Sequence, residues 1–307
     1  MKKIRVGILG YGNLGKSIEK LVSQDEHFKL VAIFSKRVVS SKLAKTEFSK
    51  DIAKYKNKID IMFLCGGSSS NLMEQAKEAL QYFNCIDAFD THKKIGEHIK
   101  TCNILAKQNK KVAFCSFGWD PGLFSLMRVL FNGVGCKTFT TWGKGVSQGH
   151  SEALRCIKGV KDAIQYTVPN SRLIEQIKSK KISELNDDKA LHLRECYIVA
   201  EPKYRRAIIE KVLSMPNYFK GYKTKINFVE PIKMLKHKNL YHAGEVFTYG
   251  DELNFKLKVE SNPNFTSRVM IAYSKVLYNY YKAQKFGAYS ILDIPFSHLI
   301  KNSEKYI

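Results

Sequence analysis

Short apolar runs alternate with amphipathic segments of helical period through the first third of the chain. The runs IRVGIL (4–9), KLVAIF (29–34), IDIMFLC (59–65), CIDAF (85–89) and KVAFCSF (111–117) are mostly apolar, the pattern of strands covered on both faces. Between them, NLGKSIEKLVSQ (13–24), SNLMEQAKEALQYF (70–83) and KIGEHIKTCNILAKQN (94–109) gather apolar residues on one helical face, with Ser and Asn available as N-caps. Such alternation predicts βαβ units and an α/β fold, a Rossmann-like doubly wound parallel sheet. The carboxyl ends of its strands then face one edge, where open α/β sheets bind ligands.

After Pro121 the pattern loosens. LHLRECYIVAE (191–201), KTKINFVE (223–230), EVFTYG (245–250) and LNFKLKVES (253–261) mix polar and apolar positions, as mixed or antiparallel sheets with one wet face do. Asp251 and Glu252 read as the turn of a hairpin between the last two. A long helix from about Asn264 to Lys285 has the apolar spacing to pack back on the first domain, and the polar stretch 170–190 predicts a loop. The expected division is therefore 1–118, joined by the chain from about 264 to 307, and a second α+β domain over 119–263.

With 307 residues and 44% apolar content, the chain can bury a core in each domain. No charge-free apolar stretch is long enough to span a bilayer, and MKKIRVGILGYG runs into a glycine turn instead of a cleavage site, so a cytoplasmic protein without a membrane partner is expected. The net charge of +23 favours anionic partners, but Lys and Arg are scattered over helix surfaces (KSIEK, HKKIGEHIK, KYRRAIIEK) with no basic arm. That distribution argues against nucleic acid as the main partner.

The seven cysteines are widely spaced without a C-x-x-C pair, which predicts reduced thiols and neither a disulfide framework nor a zinc site. His98 and Cys102 stand at helical i, i+4 spacing, but with no second ligand pair beside them packing is the expected role, and no metal is expected.

GYGNLG places Gly10, Gly12 and Gly15 between the first strand and the first helix. A bare G-x-G-x-x-G is weak evidence, but in that context the first glycine permits the tight turn, the second lets backbone approach a pyrophosphate and the third allows close helix packing. The phosphates would meet the helix N-terminus. An NAD site carries an acid at the end of the second strand, about 20 residues on, for the ribose 2′-hydroxyl. Here FSKR puts Ser35, Lys36 and Arg37 there. A hydroxyl, an ammonium and a guanidinium suit a 2′-phosphate, so the cofactor is expected to be NADP. The alternative is a solvated basic face.

AFDTH and SFGWDPG bring Asp90 and Asp120 to the same edge of the sheet. Two carboxylates beside an anionic cofactor suggest a cationic substrate group; taken singly, each could be a cap or a turn residue.

Together GYGNLG, FSKR, FLCGGS, GWDPGLFS, WGKGVSQGHSEALR, GVKDAIQYTVP, LRECYIVA, MPNYFKGY and NPNFT resemble the meso-diaminopimelate D-dehydrogenase family over nearly the whole chain. The resemblance implies NADP-dependent oxidative deamination of the D-centre of meso-2,6-diaminopimelate to L-2-amino-6-oxopimelate and ammonia, reversible toward lysine and peptidoglycan. It also implies a homodimer whose second domain binds substrate and dimerises. By the same resemblance Asp90 and Asp120 would hold the D-centre amine as the catalytic pair, aided by Trp119 and Trp142. The backbone at Gln148 and Gly149 would meet the near carboxylate. Thr167, Arg194 and His242 would take the distal carboxylate, and Asn262 the distal amine. Cofactor contacts are implied for Gly10, Tyr11, Gly12, Asn13, Leu14, Gly15, Ser35, Lys36, Arg37, Gly67, Ser68, Ser69, Ser70, His92, Lys93, Pro121 and Gly122. His150, beside the Gln148 turn, receives no role. Two features depart from the family pattern: Lys36 stands where a two-arginine clamp is familiar, and HAGE carries Ala243 and Glu245 where Gly and His are expected.

The chemistry fits a substrate with two ammonium and two carboxylate groups, whose site must offer both signs and distinguish the ends. Without the resemblance, Arg194 could be a surface ion pair, His242 a core imidazole and Asn262 a turn residue. Rival functions are an NADP-dependent reductase or dehydrogenase of a related dicarboxylate or D-amino acid, and a non-catalytic NADP-binding protein.

Overall fold

The computed structural model describes residues 3–67, 71–216, 218–234 and 241–307. The chain divides into two compact units, residues 1–126 with 263–307, and residues 127–262.

In the first unit, β1 (Ile4–Leu9), α1 (Asn13–Gln24), β2 (Phe28–Ser35), β3 (Lys45–Phe48), β4 (Ile61–Leu64), α2 (Leu72–Ala79), β5 (Asn84–Asp87), α3 (Ile95–Gln108), β6 (Val112–Phe114) and α4 (Leu123–Gly133), which runs on into the second unit, follow in order. Near the C-terminus β14 (Gly287–Tyr289) completes a seven-stranded sheet of order β14-β6-β5-β4-β1-β2-β3. Every pairing in it is parallel. The order reverses at β1, the switch point where doubly wound sheets open a ligand crevice.

Both faces of this sheet are covered, which explains the continuous apolar runs. On one face Ile18 and Val22 of α1 and Val269, Met270, Tyr273 and Leu277 of the long helix Asn262–Lys282 pack on Ile4, Val6, Ile8 and Phe63. On the other, Ala76 and Ala79 of α2 and Cys102 and Ala106 of α3 pack on Leu9, Phe34, Met62 and Leu64. The strand and helix segments of the first 118 residues stand close to where the hydrophobic pattern puts them. Two strands carried no signal: β3, a KTEF edge, and β14, three residues that find β6 from far along the chain.

The second unit holds β7 (Lys137–Trp142), β8 (Gly145–Val146), α5 (Gln148–Arg155), β9 (Val160–Pro169), α6 (Ser171–Lys178), β10 (His192–Ala200), α7 (Arg205–Ser214), β11 (Lys223–Phe228), α8 (Pro231–Met234), β12 (His242–Tyr249) and β13 (Asn254–Val259); α9 (Asn262–Lys282) comes next. They form a mixed sheet of order β11-β10-β9-β8 and an antiparallel sheet of order β13-β12-β7. The β12–β13 pairing is the hairpin expected across Asp251 and Glu252. The loop expected over 170–190 is corrected in part. Asn170 accepts from the Leu173 amide at 3.3 Å and caps α6, whose Leu173, Ile174 and Ile177 pack on Phe139 and Phe247. The polar composition of that stretch hid a short apolar stripe of helical spacing.

Candidate active site

The glycine turn has the geometry that pyrophosphate binding requires. Gly10 has φ +105, and a Cβ on it would meet the Cys65 carbonyl carbon at 2.8 Å; one on Gly15 would lie 2.2 Å from the Gly10 oxygen. Gly12 differs: its φ is −85 and a Cβ there would meet nothing of the protein within 4 Å, so the space in front of it is open to a ligand. It is also the N-cap of α1 and no side chain caps that end, which leaves the first-turn amides of Asn13, Leu14 and Gly15 aimed at this space. Tyr11 hydrogen-bonds the buried Glu19, which also receives the Ser41 hydroxyl. Burial and the Glu19 bond push the Tyr11 phenol up to about 12.

At the end of β2, Ser35 is 8% exposed and its Oγ accepts from the Arg37 amide at 3.1 Å. The Arg37 side chain is exposed, and Lys36 Nζ donates to Asn71 Oδ1 at 2.9 Å, bridging β2 to the start of α2. No acid ends this strand. The open Gly12 face, the uncapped helix and this basic strand end fit a dinucleotide with an added 2′-phosphate. Gly67 is exposed beyond β4, and its carbonyl accepts from Asn71 and Leu72, while Ser68, Ser69 and Ser70 lie outside the described residues. His92 and Lys93 are exposed in a short 3-10 turn before α3.

Asp90 follows β5 and Asp120 follows β6, beyond the carboxyl ends of neighbouring parallel strands. Asp90 is exposed and Asp120 half-buried. The turn bearing Asp120 is tight: Gly118 donates to the Pro121 carbonyl at 3.0 Å, Phe124 to the Trp119 carbonyl at 2.8 Å, and Trp119 packs edge-on to Phe124 at 5.1 Å. Gly122 has φ +139, and a Cβ there would fall 1.7 Å from the Gly118 oxygen, so only glycine fits. Metal-ligand atoms of His98, Cys102 and Cys115 lie within 4.8 Å of one another, but His98 Nε2 is engaged with Asp87 at 2.8 Å.

In the second unit the inward face of β10 alternates His192, Arg194, Cys196 and Ile198, and that of β9 presents Thr167, Gln165 and Ala163 opposite the last three. Arg194 is 6% exposed; Nη1 donates to Thr167 Oγ1 at 2.5 Å, and the guanidinium lies over the Tyr222 ring at 4.1 Å. Its Nε is buried without a hydrogen-bond acceptor, and among the described residues Arg194 forms no ion pair. Burial lowers its pKa. It is therefore not a surface ion pair but a desolvated cation that lacks an anion.

Around it stand three histidines. His242, 5% exposed at the start of β12, donates Nδ1–H to the Ala243 carbonyl at 2.8 Å, which leaves Nε2 as its acceptor. His192 receives the Trp142 amide on Nε2 at 2.9 Å and stacks on that indole at 4.9 Å; burial and the Arg194 charge push its pKa down to about 3. His150 shares a 2.5 Å hydrogen bond between Nδ1 and Ser147 Oγ, and its buried Nε2 has no partner. Burial, with Arg194 and His242 nearby, holds its pKa well below that of a free imidazole. Gln148 and Gly149 open α5 directly ahead of His150, and Asn262 opens α9. Glu245 pairs with Lys178, so the departure in HAGE forms an ion pair on β12.

Arg194, Thr167, His242 and Trp142 thus fall within the β-sheet part of one unit, and Asp90, Trp119 and Asp120 on neighbouring strand ends of the other. Sequence reasoning missed His192 and Tyr222. The signal for His192 was its i−2 position on the face of β10 that carries Arg194; Tyr222, in the turn before β11, gave none.

Comparisons with known proteins give the family and the fold. The profile of the diaminopimelic acid dehydrogenase C-terminal domain matches residues 118–261. The meso-diaminopimelate D-dehydrogenase of Ureibacillus thermosphaericus is 42% identical, covering 99% of this chain and 97% of the relative. Among solved structures, C. glutamicum DAP dehydrogenase in complex with DAP superposes with TM-score 0.94 at 35% identity, over 100% of this chain and 98% of the other. An engineered D-amino acid dehydrogenase bound to NADP+ gives 0.93 at 33%, over 99% and 98%. With such identity held along nearly its full length, the chain belongs to the meso-diaminopimelate D-dehydrogenase family.

Proposed function

We propose that the protein catalyses the NADP-dependent oxidative deamination of meso-2,6-diaminopimelate at its D-centre, giving L-2-amino-6-oxopimelate, ammonia and NADPH, and the reverse reductive amination. The observation that carries this is Arg194, a buried guanidinium with an unmatched Nε in a pocket of hydroxyl and imidazole groups. A cation kept there without an acid is matched by a substrate carboxylate, which a planar fork holds in two bonds.

Thr167 and His242 complete the carboxylate site, and Asn262 takes the distal ammonium. The chain at Gln148 and Gly149 binds the near carboxylate by its backbone. Asp90 and Asp120, with Trp119 and Trp142 beside the substrate, hold the D-centre ammonium, and one of the two acids accepts its proton so that the amine is neutral before C–H cleavage. NADP, when bound, supplies the acceptor for the D-centre hydride. The protein's part is to fix that C–H in line and to admit the one water that hydrolyses the imine. The α1 terminus at Gly10, Gly12 and Gly15 would hold the phosphates of the cofactor, and Ser35, Lys36 and Arg37 its 2′-phosphate.

The protein works as a homodimer in the cytoplasm. Val129 and Leu130 of α4 and Val134 beyond it are 55%, 52% and 63% exposed, apolar surface that a second copy would cover. Among the described residues no helix is long and apolar enough to cross a membrane.

The test is NADPH formation with purified protein and each diaminopimelate stereoisomer, with NADP or NAD. Turnover of the meso isomer with NADP, and little with LL-diaminopimelate or simple D-amino acids, is expected. Equal rates on plain D-amino acids would move the assignment to a broader D-amino acid dehydrogenase, and NADP binding without turnover of any of these would make the protein a sensor.

A further inference from the structure

Asp87 is the last residue of β5, three before Asp90, and its side chain is 3% exposed. It makes bonds in several directions. Oδ1 accepts from the Phe89 amide at 3.0 Å and from the Ser116 amide at 2.8 Å, while Oδ2 meets His98 Nε2 at 2.8 Å. The Asp87 backbone carbonyl accepts from the Phe117 amide at 2.8 Å. One residue therefore ties down both strand-end segments, that leading to Asp90 through Phe89 and that leading to Trp119 and Asp120 through Ser116 and Phe117.

The second of these segments needs such a hold. Ser116 has φ +66, a left-handed backbone that a residue with a side chain seldom adopts, and it is buried. Residues in such conformations persist where surrounding bonds over-determine them, and the Ser116 amide is fixed by Asp87. His98 in turn fixes Asp87. It is 1% exposed, stacks on Phe89 at 4.5 Å, and has Cys102 Sγ 3.8 Å from its Nδ1. A buried ion pair adds little net stability compared with apolar side chains of the same volume, so stability alone does not account for this one. Its position at the root of both loops does.

We infer that Asp87, with His98 behind it, is a positioning residue that sets the separation and aim of Asp90 and Asp120. It touches neither substrate nor cofactor, and its effect passes through the backbone at Phe89 and Ser116. This deepens the proposed deaminase reading and rests on it. The glycine turn and the β2 end, which would take the pyrophosphate and the 2′-phosphate, share no bond with Asp87 among the described residues; of the expected cofactor contacts, His92, Lys93, Pro121 and Gly122 lie on the segments it holds, so cofactor affinity should change far less than substrate turnover.

The variants Asp87→Ala and Asp87→Asn, assayed as full-length protein with meso-diaminopimelate and NADP, separate this from a general structural role. Asp87→Ala should lose about 100-fold in kcat/KM for diaminopimelate, the scale of a reacting group misplaced by an ångström, with NADPH affinity within about 3-fold of wild type. Asp87→Asn keeps an acceptor at Oδ1 and should recover activity to within about 10-fold, while amide exchange at Ser116 and Phe89 should quicken in the alanine variant alone. Undiminished kcat/KM in Asp87→Ala, or equal losses for substrate and cofactor, would overturn the inference. If Asp87→Ala does not fold, His98→Asn decides: a selective fall in diaminopimelate kcat/KM supports the role and wild-type kinetics refute it. A wild-type protein inactive on meso-diaminopimelate would instead overturn the function itself, which this series reports separately.

Discussion

Arg194 and Thr167 face each other across the β9–β10 pairing, Nη1 to Oγ1 at 2.5 Å, with 6% and 2% of their surfaces exposed. A hydroxyl satisfies one edge of the guanidinium and Tyr222 covers its face, while Nε remains without an acceptor. The structure has spent desolvation energy on a charge it does not itself neutralise, and the missing partner is an anion.

Arg194→Met should therefore raise the KM for diaminopimelate by about 100-fold through loss of charge-assisted bonds, each worth about 1.5–3 kcal/mol. The KM for NADP should stay within about 2-fold, since the cofactor elements lie in the other unit. Arg194→Lys should recover little, because an ammonium cannot reproduce the fork. Steady-state kinetics with each substrate varied in turn checks this.

The end of β2 should govern cofactor choice. Ser35→Asp should lower kcat/KM with NADP by about 100-fold and raise it with NAD, as a carboxylate repels the 2′-phosphate and accepts from the free ribose hydroxyl. Arg37→Ala should weaken NADP alone. Rates with the two cofactors at fixed diaminopimelate provide the comparison.

Gly12 and Gly15 should respond oppositely to alanine. At Gly12 the backbone tolerates a side chain and no protein atom lies within 4 Å of the new Cβ. Gly12→Ala should melt within about 2 °C of wild type yet lose most NADP affinity, the methyl occupying the place of a phosphate. Gly15→Ala sets a Cβ 2.2 Å from the Gly10 oxygen and should melt several degrees lower. Melting curves with and without NADP separate the two effects.

Acid should destabilise the second unit through its neutral histidines. The His192 imidazole, held down to about 3 by burial and Arg194, takes up no proton in the folded state between about pH 6.5 and 3, whereas the unfolded chain does. Unfolding binds protons in that window, so stability falls as pH drops through it, and His150 acts in the same direction. His98 has the opposite sign. Burial opposes its charge most strongly, but the hydrogen bonds to Asp87 and Cys102 and their charges together outweigh it and lift it to about 10, so its contribution is full below about 6.5 and is lost as pH rises toward 10. Melting temperatures across pH should peak between these limits. His192→Gln, which keeps an acceptor for the Trp142 amide, should flatten the acid limb; an unchanged slope would count against the neutral imidazole.

Much of the first unit was legible because buried parallel strands are apolar throughout and an amphipathic helix repeats with its own period. The segment 13–24 needed no adjustment to become α1. Asp90 and Asp120 could be placed at an edge once their strands were drawn, since the end of a strand fixes where its next few residues stand. Asp87 could not: inside CIDAF it reads as one polar residue in a core strand, and only the approach of β6 and α3 gives it partners. In the second unit, Arg194 stood on a strand that the alternation in LHLRECYIVAE marked, but its lack of an acid depends on which strands neighbour it, and pairing order is not written in local pattern. The α6 helix was hidden because its few apolar residues are outnumbered by solvent-facing polar and charged ones.

The most direct measurement is the fate of a deuterium label. With meso-diaminopimelate deuterated at the D-centre α-carbon and NADP, one deuterium should appear in the reduced cofactor per ammonia released, and deuterium at the L-centre should stay in the keto-acid product. Transfer from the L-centre, or ammonia release with no label reaching the cofactor, would contradict the assignment of Asp90 and Asp120 to the reacting end and Arg194 to the distal one.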